Sequence, residues 1–390
     1  TTSERLNMTD LLAYFTERTP EMLEQLIELV ELESPTHSKP DVDRVGERIT
    51  ALCRELGGAV TTYSREQVGD LRIAVWNGDA PGKPIMLLCH MDTVWPLGTL
   101  PTMPIREESG LLFGPGVADM KGGIVVALEA LRGLRDRGEM PHRPIWIFFN
   151  SDEETGSVYS QDLIEDKARE AGLVLVMEPA TAEEAFKAWR KGFARYTVTT
   201  HGRASHAGQA PENGINAVIE AAHQAIFLHS LNDYPNGTSV SVTTVQGGST
   251  INVIPAEAVL GVDVRFLKMS EAQRVDQAIR SLTPVLPGAQ LTVEGGIDRG
   301  PMERDAQMIR VVQQAQALGR ALGMELPEDG SGGGSDGNFT AALGIPTLDG
   351  LGPAGLGLHA AHEQLQIRTL PRRAALLAKI LTDWDMSLVS

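Results

Sequence analysis

The sequence predicts an α/β fold, in which a mostly parallel sheet carries helices on both faces and a smaller domain is inserted into the chain. Three observations lead to this prediction. The chain has 390 residues, 42% of them hydrophobic, which is long for a single core and favours two domains. Apolar runs alternate with helical patterns in the first part of the chain. The middle part instead shows the order β-α-β-β-α-β.

Continuous apolar runs mark the strands of the larger domain. Three such runs are Ile85–Cys89, Ile145–Phe149 and Leu173–Met177. Apolar residues at helical spacing predict helices between and around them: Leu11–Leu32, Val42–Leu56, Gly122–Arg137, Ile309–Leu322 and Leu376–Trp384. Strands that are apolar throughout and separated by helices indicate a parallel sheet covered on both faces.

The character of the sequence changes near Gly192. Six elements in the order β-α-β-β-α-β are predicted there: Phe193–Thr200, Gly214–Leu231, Ser239–Val245, Ala258–Phe266, Glu271–Leu282 and Gln290–Gly295. We therefore predict a first part of the larger domain at 1–191, an inserted domain at 192–300 and a second part at 301–390. The glycine-rich stretch at 330–337 is open to two interpretations, a flexible linker or a structured loop around Asp336.

Composition excludes several classes of protein. The net charge of −17 at pH 7, without a basic run, argues against nucleic acid as a partner. No apolar run reaches the roughly 18 residues that a membrane helix needs. Cys53 and Cys89 are too few for a disulfide framework or a thiolate metal site. We expect a soluble, cytoplasmic protein; a removed export signal stays open, because the sequence begins without Met.

Polar side chains follow each of the three buried strands. His90 and Asp92 come after the first, Glu153 and Glu154 after the second, and Glu178 after the third. Open α/β sheets bind ligands at the carboxyl ends of their strands, so these groups are expected at one edge. A carboxylate two residues from an imidazole can fix its tautomer, as partners of metal-bound histidines do. For the His-Met-Asp motif alone, a solvated surface histidine is the alternative.

Two further candidates are Asp119, within the glycine-rich segment 114–123, and His359 in a loop. Taken singly, Asp119 could cap a helix and His359 could be solvated. Taken together, two histidines and several carboxylates suit divalent ions such as zinc, and they are too many for one ion. Two metals that share a carboxylate are the natural arrangement. Of the adjacent pair Glu153 and Glu154, one would then bind metal while the other acts as general base.

An ordered set of motifs now gives a resemblance to a known family. The motifs are HMDTV (90–94), GPGVADMKGG (114–123), SDEETGS (151–157), MEP (177–179), RASHAG (203–208), NVIP (252–255), DVRF (263–266) and GGGSDGNF (332–339). Together they resemble the co-catalytic di-zinc amidases and exopeptidases, which include glutamate carboxypeptidases, aminoacylases and succinyl-diaminopimelate desuccinylases. The resemblance covers about residues 70–362 and is strongest to bacterial glutamate carboxypeptidases. It implies a zinc exopeptidase-like fold for the larger domain.

The resemblance also implies roles for individual residues. It implies five metal ligands: His90, Asp119, Glu154, Glu178 and His359. Asp119 would bridge two zinc ions, with cobalt or manganese as alternatives, and His362 stays open as an alternative ligand to His359. Glu153 would be the general base and Asp92 would orient His90.

For the inserted domain, the resemblance implies a lid and a dimerisation module. His206 would reach across a homodimer to the substrate carbonyl, and Asn252 and Arg265 would contact substrate. The alternatives are that His206 only begins a helix, that Asn252 only lies in a turn, and that Arg265 forms an ion pair with Asp263. The implied activity is hydrolysis of an amide that releases a C-terminal amino acid from a small peptide or an N-acyl amino acid. An N-acyl-amino-acid deacylase and a non-catalytic metal-binding scaffold are the alternatives.

Overall fold

A computed structural model describes residues 11–388 of the protein. The chain divides into two compact units. The first comprises the residues up to Ala188, Arg304–Gly330 and those from Ser335 onward. The second comprises Trp189–Glu303 and Ser331–Gly334. The sequence had placed the inserted domain at 192–300 and had assigned 331–334 to the larger domain.

Helices and strands are interspersed along residues 11–388. The helices are α1 (11–17), α2 (Thr19–Glu31), α3 (Lys39–Glu55), α4 (Gly122–Arg137), α5 (Gln161–Glu170), α6 (Ala217–Ser230), α7 (Met269–Arg280), α8 (Ala306–Ala321), α9 (Gly337–Ala342) and α10 (Thr369–Asp383). The first strands are β1 (Ala59–Tyr63), β2 (Leu71–Trp76), β3 (Ile85–His90), β4 (Arg106–Glu108), β5 (Leu111–Phe113), β6 (Ile145–Asn150), β7 (Leu173–Val176), β8 (Phe186–Arg190) and β9 (Gly192–His201). The remaining strands are β10 (Ser205–His206), β11 (Ser239–Gly247), β12 (Val253–Ile254), β13 (Glu257–Phe266), β14 (Gln290–Arg299), β15 (Glu328–Ser331), β16 (Thr347–Leu348), β17 (Gly355–Leu356) and β18 (Gln364–Gln366).

The first unit contains a six-stranded sheet in the order β1-β2-β6-β3-β7-β16. Strand β3 runs parallel to β6 and β7, and β16 runs parallel to β7. Strands β1 and β2 are antiparallel additions at one edge. The predicted mostly parallel sheet is confirmed. Both edge strands were missed: β1 is largely exposed and its sequence AVTTY has no apolar run, whereas β2 is mostly buried but its run LRIAVW is interrupted by Arg72.

Both faces of this sheet are covered, as predicted. All six residues of β3 are buried. On one face Leu88 and Phe148 join Ile164 and Ala168 of α5 in a hydrophobic cluster. On the other face α4, which is almost wholly buried, contacts β3. Burial on both faces explains why the central strands are apolar throughout.

The single helix predicted over Leu11–Leu32 is two helices in the structure. The first described residues, 11–17, are helical, and a new helix begins at Thr19. Pro20 lies in the first turn of the second helix. Proline is accepted there because it has no N–H group to place and its φ already fits a helix.

The second unit contains a four-stranded antiparallel sheet in the order β11-β13-β9-β14. Helices α6 and α7 pack on one face, where Leu228 and Ile279 meet Leu260 and Val264 of β13. Buried and part-exposed residues alternate along β13, as the sequence predicted for a one-sided sheet. The predicted ferredoxin-like βαββαβ arrangement is confirmed.

Among residues 11–388, the structure has no helix with the length and apolar character required to cross a bilayer.

Candidate metal centre

The candidate site lies at the carboxyl edge of the parallel strands in the first unit. Strand β3 ends at His90, β6 ends at Asn150 and β7 ends at Val176. These strands are neighbours in the sheet, so the segments that follow them meet at the same edge. The sequence pattern therefore predicted correctly which strand ends come together.

The first group of side chains surrounds the His90 imidazole, which is buried. Its Nε2 atom lies 3.1 Å from Asp119 Oδ1 and 3.3 Å from Glu178 Oε1. Its Nδ1 atom lies 3.0 Å from the Asp92 backbone oxygen and 3.4 Å from Asp92 Oδ1. An acceptor at Nδ1 holds the proton on that atom, which leaves Nε2 with a free lone pair for a cation.

The second group of side chains surrounds His359. Its Nε2 atom lies 3.2 Å from Asp119 Oδ2 and 3.2 Å from Glu154 Oε2. Asp119 thus presents one carboxylate oxygen to each histidine. Ligand atoms bound to one tetrahedral zinc ion at 2.0–2.1 Å are about 3.3 Å apart. The spacing in both groups therefore fits a cation, with Asp119 between two such positions.

The surroundings of Glu154 further test whether the side chains at this site suit metal ions. Its Oε1 atom is buried and has no hydrogen-bond partner among the residues that the structure describes. A buried carboxylate oxygen without a donor is costly unless a cation or a proton satisfies it. Ligand atoms of His90, Asp119 and Glu154 all lie within 4.8 Å of one another, as do those of His90, Glu153 and Glu178. The residues present fit metal ions.

The electrostatics of the site favour added positive charge. Hydrogen bonds with Asp119 and Glu154 raise the pKa of His359 to about 10. Burial opposes protonation of His90, but hydrogen bonds to Asp119 and Asp92 raise its pKa well above the ordinary value. Burial also raises the pKa of the Glu154 carboxyl group. A metal ion must displace these protons, so affinity for metal falls as the pH falls.

Glu153 and Glu154 occupy a single turn, Glu153–Thr155, just after β6. Their backbone N–H groups donate to Asp92 Oδ1 and Oδ2, at 3.3 Å and 3.2 Å. The Thr36 hydroxyl donates to Asp92 Oδ2 at 2.7 Å. Asp92 therefore does more than orient His90: it also fixes the backbone that carries both glutamates.

Asp119 lies in the turn Val117–Lys121, which leads into α4. The peptide bond between Asp119 and Met120 is cis. Gly123, at the start of α4, lies so close to β7 that an added Cβ would be 1.9 Å from the Met177 carbonyl oxygen. This contact places the Asp119 turn directly beside the strand end that carries Glu178.

Asp336 also holds the end of β6 and the segment that follows it. It is buried and accepts a hydrogen bond from Asn150 Nδ2 at 2.6 Å and another from the Ser157 hydroxyl. Helix α9 begins at the next residue, Gly337. Asp336 is thus part of a structured loop, so the linker interpretation is wrong for this end of the glycine-rich stretch.

His362 and His359 differ in their surroundings. His362 is exposed and lies against Gly357. His359 has a φ of 61° and directs its ring to Asp119 and Glu154. The geometry therefore supports His359, rather than His362, as the ligand.

The predicted substrate-binding residues lie in the second unit. His206 is on the two-stranded ribbon formed by β10 and β12, and Asn252 immediately precedes β12. His206 Nδ1 accepts hydrogen bonds from the backbone N–H groups of Gly208 and Gln209, both at 3.1 Å. Arg265 forms a bidentate ion pair with Asp263 at 2.8 and 2.9 Å, which was the structural alternative considered for it.

Three residues with structural roles at the site were missed or only partly recognised in the sequence. Thr36 gave no signal, and Trp95, which directly follows the motif HMDTV, was assigned no role. Glu363 was assigned no role from the sequence. It is buried, and its carboxylate contacts the Asp119 turn.

The fold and the site together define a metal-dependent hydrolase of the peptidase type. Residues 86–383 match the model of peptidase family M20/M25/M40, and this match covers most of the chain. The chain belongs to this family. Carboxypeptidase G2 from Pseudomonas sp. (strain RS-16) is 33% identical over 375 residues, which are 94% of this chain and 90% of that protein. The protein is thus an M20 metallopeptidase similar to carboxypeptidase G2, which confirms the predicted family and enzyme class.

A more distant relative and two solved structures are also similar to this chain. A succinyl-diaminopimelate desuccinylase from Acidovorax ebreus (strain TPSY) is 25% identical over 354 residues, or 84% of this chain and 88% of that protein. The structure of aminopeptidase PepT from Bacillus cereus has a TM-score of 0.75 at 21% identity, over 95% of this chain and 99% of that chain. A dinuclear metal-binding M20 peptidase from Bacillus subtilis has a TM-score of 0.68 at 15% identity, over 94% and 98% of the two chains. The two structures show a shared fold.

Proposed function

We propose that the protein hydrolyses the amide bond that joins an acyl or peptidyl group to a C-terminal amino acid, with glutamate as the preferred residue. The observation that supports this most directly is the pair of ligand groups that share Asp119, with a Glu153 carboxylate oxygen within 4.8 Å of ligand atoms of His90 and Glu178. Similarity to carboxypeptidase G2 over 94% of the chain supports release from the C-terminal end.

The proposed ligands divide between two zinc ions. His90 and Glu178 would hold the first, His359 and Glu154 would hold the second, and Asp119 would be a ligand common to both. Such ions would supply an acidified water and a polarised amide carbonyl when bound. Glu153 would accept a proton from the attacking water and pass it to the leaving amine. Asp92 keeps the turn with Glu153 in place through the backbone N–H groups.

His206 is proposed to stabilise charge on the substrate carbonyl oxygen. Its Nδ1 atom accepts two backbone hydrogen bonds, so the neutral ring carries its proton on Nε2. That tautomer can donate a hydrogen bond to an oxyanion. We propose that it acts across a homodimer, with the inserted domain at 192–300 as the dimerisation module and lid of the active site.

Arg265 and Asn252 are proposed to bind the substrate. The ion pair with Asp263 fixes the plane of the Arg265 guanidinium group. An oriented guanidinium group suits the free carboxylate of a C-terminal amino acid. We further propose that the enzyme acts in the cytoplasm on small peptides or N-acyl amino acids.

Amino-acid release from a matched panel of substrates tests this function. The panel pairs peptidyl, benzoyl, acetyl and succinyl groups with glutamate, aspartate, alanine or leucine at the C-terminal position. Each reaction is run with zinc and with a chelator. We expect zinc-dependent release of glutamate from the benzoyl and peptidyl donors. Faster release from acetyl or succinyl donors would instead identify a deacylase.

Glu153→Ala is the variant for the same assay. Loss of the general base should lower kcat by roughly 10²–10⁴-fold, while both metal ions remain bound because their proposed ligands are intact. Glu170→Ala, which changes an exposed glutamate on α5, is the matched control and should keep full activity. A Glu153→Ala enzyme with normal kcat would show that another group takes the proton.

A further inference from the structure

Glu363 joins three segments of the metal centre through one buried carboxylate. Its Oε1 atom accepts the backbone N–H groups of Ala118 at 3.0 Å and Asp119 at 3.1 Å. Its Oε2 atom accepts the N–H of Gly116 at 3.0 Å and the indole N–H of Trp95 at 2.8 Å. All four donors are N–H groups; Ala118 and Asp119 belong to the turn that carries Asp119, and Gly116 directly precedes it.

The backbone of Glu363 adds to this connection. Its carbonyl oxygen accepts the N–H of Gly114 at 3.2 Å, and its own N–H donates to the Ala360 carbonyl at 2.8 Å. Ala360 directly follows His359, so the same residue is tied to the loop of that histidine. Trp95 lies three residues after Asp92, so its hydrogen bond also connects Glu363 to the segment that follows β3.

We propose that Glu363 is a positioning residue that holds Asp119 in the bridging orientation and so determines affinity for the metal pair. This inference rests on the proposed metal ligation by Asp119. The turn cannot satisfy these N–H groups through regular helix bonds, because its backbone leaves helical geometry at Asp119 and Met120. Gly116 enters the turn with a φ of 75°, in the left-handed region. An anionic acceptor gives such donors stronger hydrogen bonds than a neutral one.

Glu363→Gln isolates this role because it keeps the size and shape of the side chain. The amide oxygen can still accept from Ala118 and Asp119. The amide nitrogen cannot accept from Gly116 and Trp95, and it points its own hydrogens at their N–H groups. The Asp119 turn then loses its fixed position, although every proposed metal ligand is still present.

A general loss of stability in Glu363→Gln must be distinguished from a specific effect on the metal centre, and a second buried glutamate provides the matched control. Glu220 in the second unit is also buried, and it accepts the backbone N–H groups of Val285 and Leu286. It also accepts from Gln224 Nε2 at 2.6 Å. Glu220→Gln therefore removes the same type of acceptor at a position outside the metal centre. It should lower the melting temperature and leave metal binding and kcat unchanged.

The experiment is zinc titration of the metal-free full-length variants against a chromophoric chelator, followed by kcat and KM. We expect Glu363→Gln to weaken binding of at least one zinc ion about 10–100-fold, the range typical for partners of metal ligands. We also expect kcat to fall with little change in KM. Trp95→Phe removes one of the four donors and should give a smaller loss in the same direction, so it serves if Glu363→Gln does not fold.

Two outcomes would overturn the proposal. One is that Glu363→Gln and Trp95→Phe both bind two zinc ions as tightly as the unchanged protein. The other is that Glu220→Gln loses zinc affinity and kcat to the same extent as Glu363→Gln, so that loss of stability alone explains the effect. The titration needs no substrate, so it still tests Glu363 if the panel shows that the proposed amide hydrolysis is wrong.

Discussion

At the scale of single residues, Asp92 shows how one carboxylate supports several functional groups. It is fully buried, and two of its donors are the backbone N–H groups of Glu153 and Glu154. Another donor is the Thr36 hydroxyl, 2.7 Å from Oδ2. Thr36 lies between α2 and α3, far from the metal centre in sequence. The proposed base therefore depends on a threonine that is itself not a proposed metal ligand.

Replacing Thr36 by valine should lower kcat and weaken metal binding, because the turn held by Asp92 carries both Glu153 and the proposed ligand Glu154. Valine has the shape of threonine but puts a methyl group against Asp92, and the lost hydrogen bond costs about 1–3 kcal/mol. Because Asp92 then shifts, the turn with Glu153 moves relative to the metal ligands. Steady-state kinetics and metal analysis of the purified variant test this expectation.

Thr238→Val is the control for that variant. The buried Thr238 hydroxyl donates to Glu271 Oε2 at 2.8 Å in the second unit, so a similar bond is lost outside the metal centre. Both variants should melt at lower temperature, but Thr238→Val should keep its kcat. Equal kcat in the two variants would mean that Thr36 contributes to stability only.

At the scale of elements, the sequence predicted best those features of the site that depend on residues adjacent in the chain. His90, Glu153 and Glu178 could be placed at one edge because His90 and Glu178 directly follow apolar runs and Glu153 comes within a few residues of another. Thr36 could not be identified, since its role depends on a contact between segments 56 residues apart. Asp336 posed the same problem, because its partner Asn150 lies 186 residues away. Contacts of this kind leave no local period or motif in the sequence.

The contact between α4 and β7 gives a prediction at this scale. In Gly123→Ala the added methyl would lie 1.9 Å from the Met177 carbonyl oxygen, which is backbone and has no rotamer to change. We expect a loss of about 1–3 kcal/mol from overpacking. Glu178 follows Met177, so weaker zinc binding should accompany the loss. Urea denaturation and zinc titration measure the two effects.

Gly332→Ala is the appropriate comparison for that substitution. An added methyl there meets nothing within 4 Å, and its φ lies outside the left-handed region. Its unfolding free energy and zinc affinity should match those of the unchanged protein. If Gly123→Ala behaved in the same way, α4 would have room to move and its close approach would not fix Glu178.

At the scale of the whole molecule, the proposed metal ligands and the inserted domain belong to different compact units. All five proposed ligands belong to the first unit, although Trp189–Glu303 interrupts it between Glu178 and His359. The second unit has its own hydrophobic core, which includes Leu228 and Phe266. A unit with its own core is expected to fold alone. Metal binding should therefore stabilise only the first unit.

A fragment of residues 189–303 should fold by itself, and its melting temperature should not depend on zinc. The full-length chain should be stabilised by zinc, by about 2.7 kcal/mol at a free concentration 100 times Kd, because the unfolded chain lacks the assembled ligands. Asp119→Ala should abolish most of this shift, since it removes the ligand shared by both ions. Differential scanning calorimetry of the three proteins, with zinc and with a chelator, gives the comparison. If zinc stabilised the fragment as much as the full-length chain, the ions would bind elsewhere, and the site at the edge of the parallel sheet would not be the metal centre.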